Sequence, residues 1–331
     1  MSLMKIIFSR QFHALLSGLT IAFVISSCGW LADKPVSIAS HVWPGYEPMF
    51  LARGEGWLNT NQVRLAETAS ASDSMQALAE GKVDGAALTL DEVLTARSRG
   101  IPLSVVMIFD VSAGADMLIA RSGIKKLADL KDHRIGVEEG AVGGLMLANI
   151  LRTAGLGKED VKVIPLTIDK QANAWSQQQL DAVITYEPVA GILLQQGGIK
   201  LFDSRQIPNT IVDVLAIRGD SLDHSHTNSI RHLLSAYFKA LDHLNRNPHD
   251  AAYRMASHLN LPSDRVLPAF KGLLLPDAAN NYHMMTGSRP ELMDTAHKVS
   301  AIMLESGLLQ RDDTFKELIR PEFLPYATGL N

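Results

Sequence analysis

Seven residues of this chain carry side chains suited to gripping a small polar molecule: Trp43, Tyr46, Thr89, Asp110, Ser112, Asp116 and Glu187. Trp43 and Tyr46 flank a Pro44-Gly45 turn, and each offers a flat apolar face with a polar tip. Thr89 follows the small-residue run Ala86-Ala87-Leu88, where its hydroxyl either donates to a ligand or caps the next helix. Asp110 and Asp116 bracket Ser112-Ala113-Gly114-Ala115, small residues that let a ligand approach the backbone closely. Glu187 directly follows the apolar run 183–186 and precedes Pro188, which makes it the leading carboxylate for a ligand contact. Carboxylates beside aromatic faces suit a cation or an amine-bearing heterocycle, through charge-assisted hydrogen bonds and cation–π contact. Nitrate and simple sulfonates need Arg, Lys or His donors instead, and His41 is the one such candidate nearby. Residues 138–144 open a helix whose free amides can receive an anionic or polar group, although their acids equally favour the helix dipole.

Bond-breaking chemistry finds little support. Cys28 is the only cysteine, so nothing after it can form a disulfide, a thiolate zinc site or a cysteine nucleophile. No stretch resembles a phosphate-cradling glycine loop, a nucleophile elbow or a zinc-protease helix. The Asp223-His224-Ser225-His226 cluster and His283 read as solvated surface. No catalytic residue, cofactor or metal is expected, and the protein is expected not to be an enzyme.

The first 27 residues read as an export signal. Lys5 and Arg10 precede an apolar run over 14–24, with no acid before Cys28. That run is shorter than the ~20 apolar residues a membrane span needs. A basic start, an apolar middle and small residues before a break mark a cleaved leader. Ile25-Ser26-Ser27-Cys28 resembles a bacterial lipobox, after which the cysteine is acylated and becomes the first mature residue. The alternatives are an ordinary export signal with a chance cysteine, or an uncleaved anchor. Losing the leader takes two of the 31 basic residues and none of the 35 acids, leaving a balance of −6. Nucleic acid is therefore not an expected partner, because phosphate binding needs a basic patch.

The elements that must hold these residues alternate along the chain. Strand patterns fall at 36–39, 63–67, 84–88 and 103–109, with helical stretches at 47–58 and after Ser72 or Asp73. A second series places strands at 115–120, 134–137, 161–164, 182–185 and 211–217, with a helix over 145–154. Such alternation implies βα units and a parallel sheet. After Arg218 helices dominate, punctuated by Pro248, Pro262, Pro276 and Pro290. The chain crosses between two lobes near 111–115 and returns near 201–209. Lobe one then comprises 34–112 plus 211–331, and lobe two 113–210.

Four stretches in order resemble periplasmic solute-binding proteins of ABC importers, in the branch that holds nitrate, sulfonate and taurine binders and the thiamine-pyrimidine group. They are Trp43-Pro44-Gly45-Tyr46-Glu47-Pro48 with Gly54 and Gly56-Trp57-Leu58; 77–86; 124–137; and 180–188. The resemblance implies an α/β fold: a two-lobed periplasmic-binding-protein clamshell, type II-like, with a helical C-terminal extension of lobe one. It also implies a monomeric, lipid-anchored periplasmic protein that delivers a small polar ligand to an ABC permease in the inner membrane. An amine-bearing sulfonate or an aminopyrimidine-like compound fits the residues. A ligand sensor feeding a membrane signalling protein would use the same clamshell. Pyrimidine-precursor synthases share the fold but carry a cysteine-rich motif that this chain lacks.

Overall fold

A computed structural model describes residues 33–325. The leader and Cys28 lie outside the described residues. The first series runs β1 (Val36–Ser40), α1 (Glu47–Gly54), β2 (Val63–Glu67), α2 (Ala71–Ala79), β3 (Gly85–Thr89), α3 (Leu90–Ser98) and β4 (Leu103–Ser112). The second runs β5 (Met117–Ala120), β6 (Arg134–Val137), α4 (Val142–Ala154), β7 (Lys162–Pro165), α5 (Ile168–Ser176), β8 (Ala182–Thr185), α6 (Val189–Gln195) and β9 (Ile199–Asp203). The chain then returns through β10 (Val212–Arg218) to α7 (Thr227–Arg246), α8 (Pro248–Met255), α9 (Ser263–Ala269), β11 (Leu273–Leu274), α10 (Ala278–Met285) and α11 (Glu291–Glu305).

These strands build two sheets, one per lobe. The first has the order β11-β4-β10-β3-β1-β2 and the second β7-β6-β8-β5-β9. An all-parallel arrangement is not what forms. β10 runs antiparallel to both β3 and β4, and β5 antiparallel to both β8 and β9. The reason is the double crossing: the strand that enters each sheet from the other lobe arrives from the opposite end. The short β11 is also antiparallel to β4, while the remaining pairings, such as β1 with β2 and β6 with β8, are parallel as βα units require.

Local chemistry explains the elements. Every residue of β3 and β4 is buried, as expected of central strands covered on both faces. Ser70 caps α2 by accepting from the Asp73 amide at 3.2 Å. That helix gives way to Gly81 at φ 66°, a left-handed turn that glycine adopts without strain. In α7 the buried Ile230, Leu233, Leu234, Tyr237 and Leu241 recur at helical spacing, forming the face that packs on the first sheet's side. The helical character after Arg218 is interrupted by the two-residue β11 and by an isolated bridge from Ile319 to Val105. His226 departs from the surface reading: it is buried, with its Nδ1 2.8 Å from Asp223 Oδ1.

The two crossings are braced against each other. Ser112 Oγ and Ser204 Oγ lie 2.8 Å apart, and the Gly114 amide donates to Ser204 Oγ at 2.6 Å. Backbone bonds from Ser112 to Ile211 and from Ser204 to Asp116 complete the joint. No helix among the described residues is long and apolar enough to cross a membrane.

Candidate functional site

The site forms where the carboxyl ends of β1, β3 and β8 meet, the usual place for a ligand in open α/β sheets. Three adjacent strands supply its floor. In register, Asp213 of β10 sits between Thr89 of β3 and Asp110 of β4. The chain leaving β1 places His41 and then Trp43 and Tyr46 over this row, and Glu92 projects from the first turn of α3. From the other side come Asp116 at the crossing, Val142 at the start of α4 and Tyr186 after β8.

Hydrogen bonds fix the aromatic rings. Trp43 Nε1 donates to Asp110 Oδ2 at 3.0 Å, and the Tyr46 hydroxyl donates to Asp213 Oδ1. Gly45 allows the first of these, because a Cβ there would lie 1.8 Å from Asp110 Oδ2 and 2.7 Å from Trp43 Nε1. Trp43 meets Tyr186 edge to face across the cleft at 5.1 Å, and His41 meets Tyr46 in the same manner at 5.5 Å. The space left between these groups measures about 10 Å³, roughly that of one water.

Two carboxylates hold the lobes together, pointing in opposite directions. Glu138, between β6 and α4, accepts at Oε1 from the Ser72 amide at 2.9 Å and the Ser72 hydroxyl at 2.6 Å, across the cleft on α2. Its Oε2 accepts from the Ile168 amide of α5 at 3.3 Å. Glu92 reaches the other way: Oε1 accepts from the Val142 amide at 3.1 Å, and Oε2 from the Thr89 amide at 2.9 Å. Each carboxylate thus occupies free amides at helix starts on both lobes.

The electrostatics are one-sided. Burial pushes Asp110 and Asp116 up to about 7 and Asp91 up to about 6. Glu92 and Asp213 are driven well above the carboxylate range, first by burial and then by the neighbouring acids Asp91 and Asp110 respectively. Neither Lys nor Arg lines the cavity among the described residues. His41 is lowered to about 4 by burial, so it is neutral at pH 7 and is not the positive donor its type suggested. Asp110 and Asp213 stand opposite each other on paired strands, and the charge of Asp110 helps to hold Asp213 in its protonated form.

Of the seven expected contacts, Trp43, Tyr46, Thr89 and Asp116 line the cavity, and Asp110 stands directly behind it. Ser112 is turned into the crossing, where it meets Ser204 and accepts from the Asp116 amide at 3.2 Å. Glu187 also lies apart: its carboxylate folds back on α6 and accepts from the Gly191 amide at 3.0 Å. A free helix-start amide within its own turn is a nearer partner than the cleft. The preceding residue, Tyr186, faces the site instead. Glu92, Val142 and Asp213 are additional. A lone acid inside the apolar run 211–217 was the available signal for Asp213, and Glu92 was hidden at the third position of α3, where an acid commonly serves as a cap.

The profile of the family described as NMT1/THI5 like matches residues 43–251. A Brucella abortus protein named as a binding protein is 27% identical over 150 residues, covering 44% of this chain and 47% of its own length. The chain thus spans about half the length of the first such curated relatives. A Haemophilus influenzae protein named for thiamine biosynthesis is 24% identical over 289 residues, covering 84% and 88%. Among solved structures, the alkanesulfonate-binding protein of Xanthomonas axonopodis pv. citri bound to MOPS superposes with a TM-score of 0.74 at 15% identity, covering 88% of this chain and 99% of that one. This likeness places the fold among periplasmic binding proteins.

Proposed function

The chain belongs to the NMT1/THI5-like family, and we propose that it is the exported solute-binding component of an ABC importer. In this reading Cys28 is acylated after removal of residues 1–27 and tethers a monomer to a bacterial membrane on the periplasmic side. Residues 34–112 with 211–331 form one moving body and 113–210 the other. They close over a small polar, amine-bearing ligand, an aminosulfonate or an aminopyrimidine-like compound, and present it to a permease.

The observation that carries the reading is the convergence of buried aromatic and carboxyl groups from both lobes on one cavity, sealed by Glu92 and Glu138 reaching in opposite directions. Closure is stabilised by contacts that exist only when both lobes meet. A cavity the size of one water admits a ligand only after the lobes part, so capture and release are motions of the crossings. No bond chemistry is assigned: the single cysteine is Cys28. The test is a thermal-shift screen of the mature protein with taurine, alkylsulfonates, nitrate, aminopyrimidines and polyamines. A true ligand raises the melting temperature as RT ln(1 + [L]/Kd), and a screen in which none of these classes does so removes the reading.

A further inference from the structure

We propose that the cleft takes an organic cation without an acid group, a protonated amine or amidine whose N–H groups donate to the unpartnered oxygens of Asp110, Asp213 and Asp116. The inference rests on the solute-binding reading and narrows it, because it excludes sulfonates.

Geometry carries the argument. Asp110 and Asp213 stand opposite each other on paired strands, and each spends one oxygen on an aromatic donor, Trp43 or Tyr46. Their other oxygens, Asp110 Oδ1 and Asp213 Oδ2, have no donor among the described residues, and neither has Asp116 Oδ2. All three are fully buried side chains, where an unmet acceptor is costly. An ammonium brings three N–H donors and an amidinium a planar set of them. A sulfonate brings only acceptors.

The surroundings sharpen the choice. Tyr46 faces the pair from the turn before α1, and Tyr237 faces it from α7, with its hydroxyl spent on the Gly45 and Phe109 carbonyls. Glu92 and Asp91 add further carboxyl groups from α3, and Asp116 adds one from the crossing. The second lobe adds Tyr186 and Glu138, and His41 is neutral. Nothing basic lines the cavity to receive an anion. Trp43 and Tyr186 offer π faces to a cation. The proton balance is simple: the cation enters with its charge, a proton held by the buried acids leaves to solvent, and the charge of the site is unchanged.

Benzamidine and benzenesulfonate have the same flat ring with opposite charge. Calorimetric titration of the mature protein with each, in buffers of different ionisation enthalpy, reads both affinity and proton exchange. Benzamidine is expected to bind at least about tenfold more tightly, releasing about one proton per ligand, with affinity rising as pH rises. Asp213→Asn should abolish the proton release and lose about tenfold or more in benzamidine affinity, and Asp116→Asn should lose affinity while keeping the release. Circular dichroism checks that both variants fold. Benzenesulfonate binding as tightly as benzamidine would overturn the inference and leave the solute-binding reading standing. Benzamidine that fails to bind at millimolar concentration would also overturn it, and the wider thermal-shift screen then decides the broader reading separately.

Discussion

Ser72 and Glu138 sit on opposite lobes, yet one carboxylate oxygen of Glu138 accepts both the Ser72 amide, at 2.9 Å, and its hydroxyl, at 2.6 Å. If capture proceeds by closure as proposed, this bond pair forms only when the lobes meet and contributes to the closed state alone.

Glu138→Ala should consequently shift the molecule toward the open form. Charged hydrogen bonds contribute about 1.5–3 kcal/mol, so apparent affinity for any ligand that needs closure should fall roughly ten- to a hundredfold. The melting temperature of the unliganded protein should move little. Small-angle scattering and calorimetry on the same variant separate the two effects, and a large loss of folding stability would place Glu138 in a structural role instead.

Gly45→Ala tests the floor of the site. The added methyl would meet Asp110 Oδ2 at 1.8 Å and Trp43 Nε1 at 2.7 Å, so the Trp43–Asp110 hydrogen bond must break. Overpacking of this kind costs about 1–3 kcal/mol. Chemical denaturation should show that loss, together with a change in tryptophan fluorescence.

Tyr186 and Glu187 separate the site from its border. Tyr186→Phe removes a buried hydroxyl without a partner among the described residues and should weaken ligand binding, whereas Glu187→Gln should leave affinity nearly unchanged, since that carboxylate serves Gly191. Equal losses in the two variants would return Glu187 to the cleft.

With the lobes closed, the buried acids should make folding stability depend on pH. Asp110 and Asp116 are raised from the ordinary carboxylate range to about 7, so the folded chain holds protons that the unfolded chain has already released. Stability from these groups is full below about pH 4 and is lost as pH rises through about 7. His41, lowered to about 4, opposes this between about pH 4 and 6.5 but is one group against several. Denaturation midpoints should fall from mildly acidic to mildly alkaline pH, and Asp213→Asn should flatten the slope. A midpoint that rises over that interval would contradict the assignment.

Much of the scaffold was legible because strand burial leaves a period in the chain. Val63–Glu67, Arg134–Val137 and Ala182–Thr185 appear with the bounds their apolar and β-branched residues suggest. Strand direction was not legible, since antiparallel β10 and β5 carry the same apolar run a parallel strand would. The site divided along similar lines. Trp43, Tyr46, Thr89 and Asp116 lie at strand ends, where position alone points to a cleft. Ser112 and Glu187 lie there too, but each has a closer local partner, Ser204 and the Gly191 amide, and one-dimensional spacing does not register such competition. Asp213 is brought to the site by pairing between strands more than a hundred residues apart in the sequence, Asp213 with Asp110 and Thr89, a relationship that exists only in the folded sheet.

The central claim is that solute capture is closure of two lobes. Small-angle scattering of the mature protein, alone and saturated with the strongest compound of the screen, tests it most directly. The account predicts a smaller radius of gyration with ligand and unchanged secondary structure by circular dichroism. A radius of gyration that stays the same at saturation would contradict it.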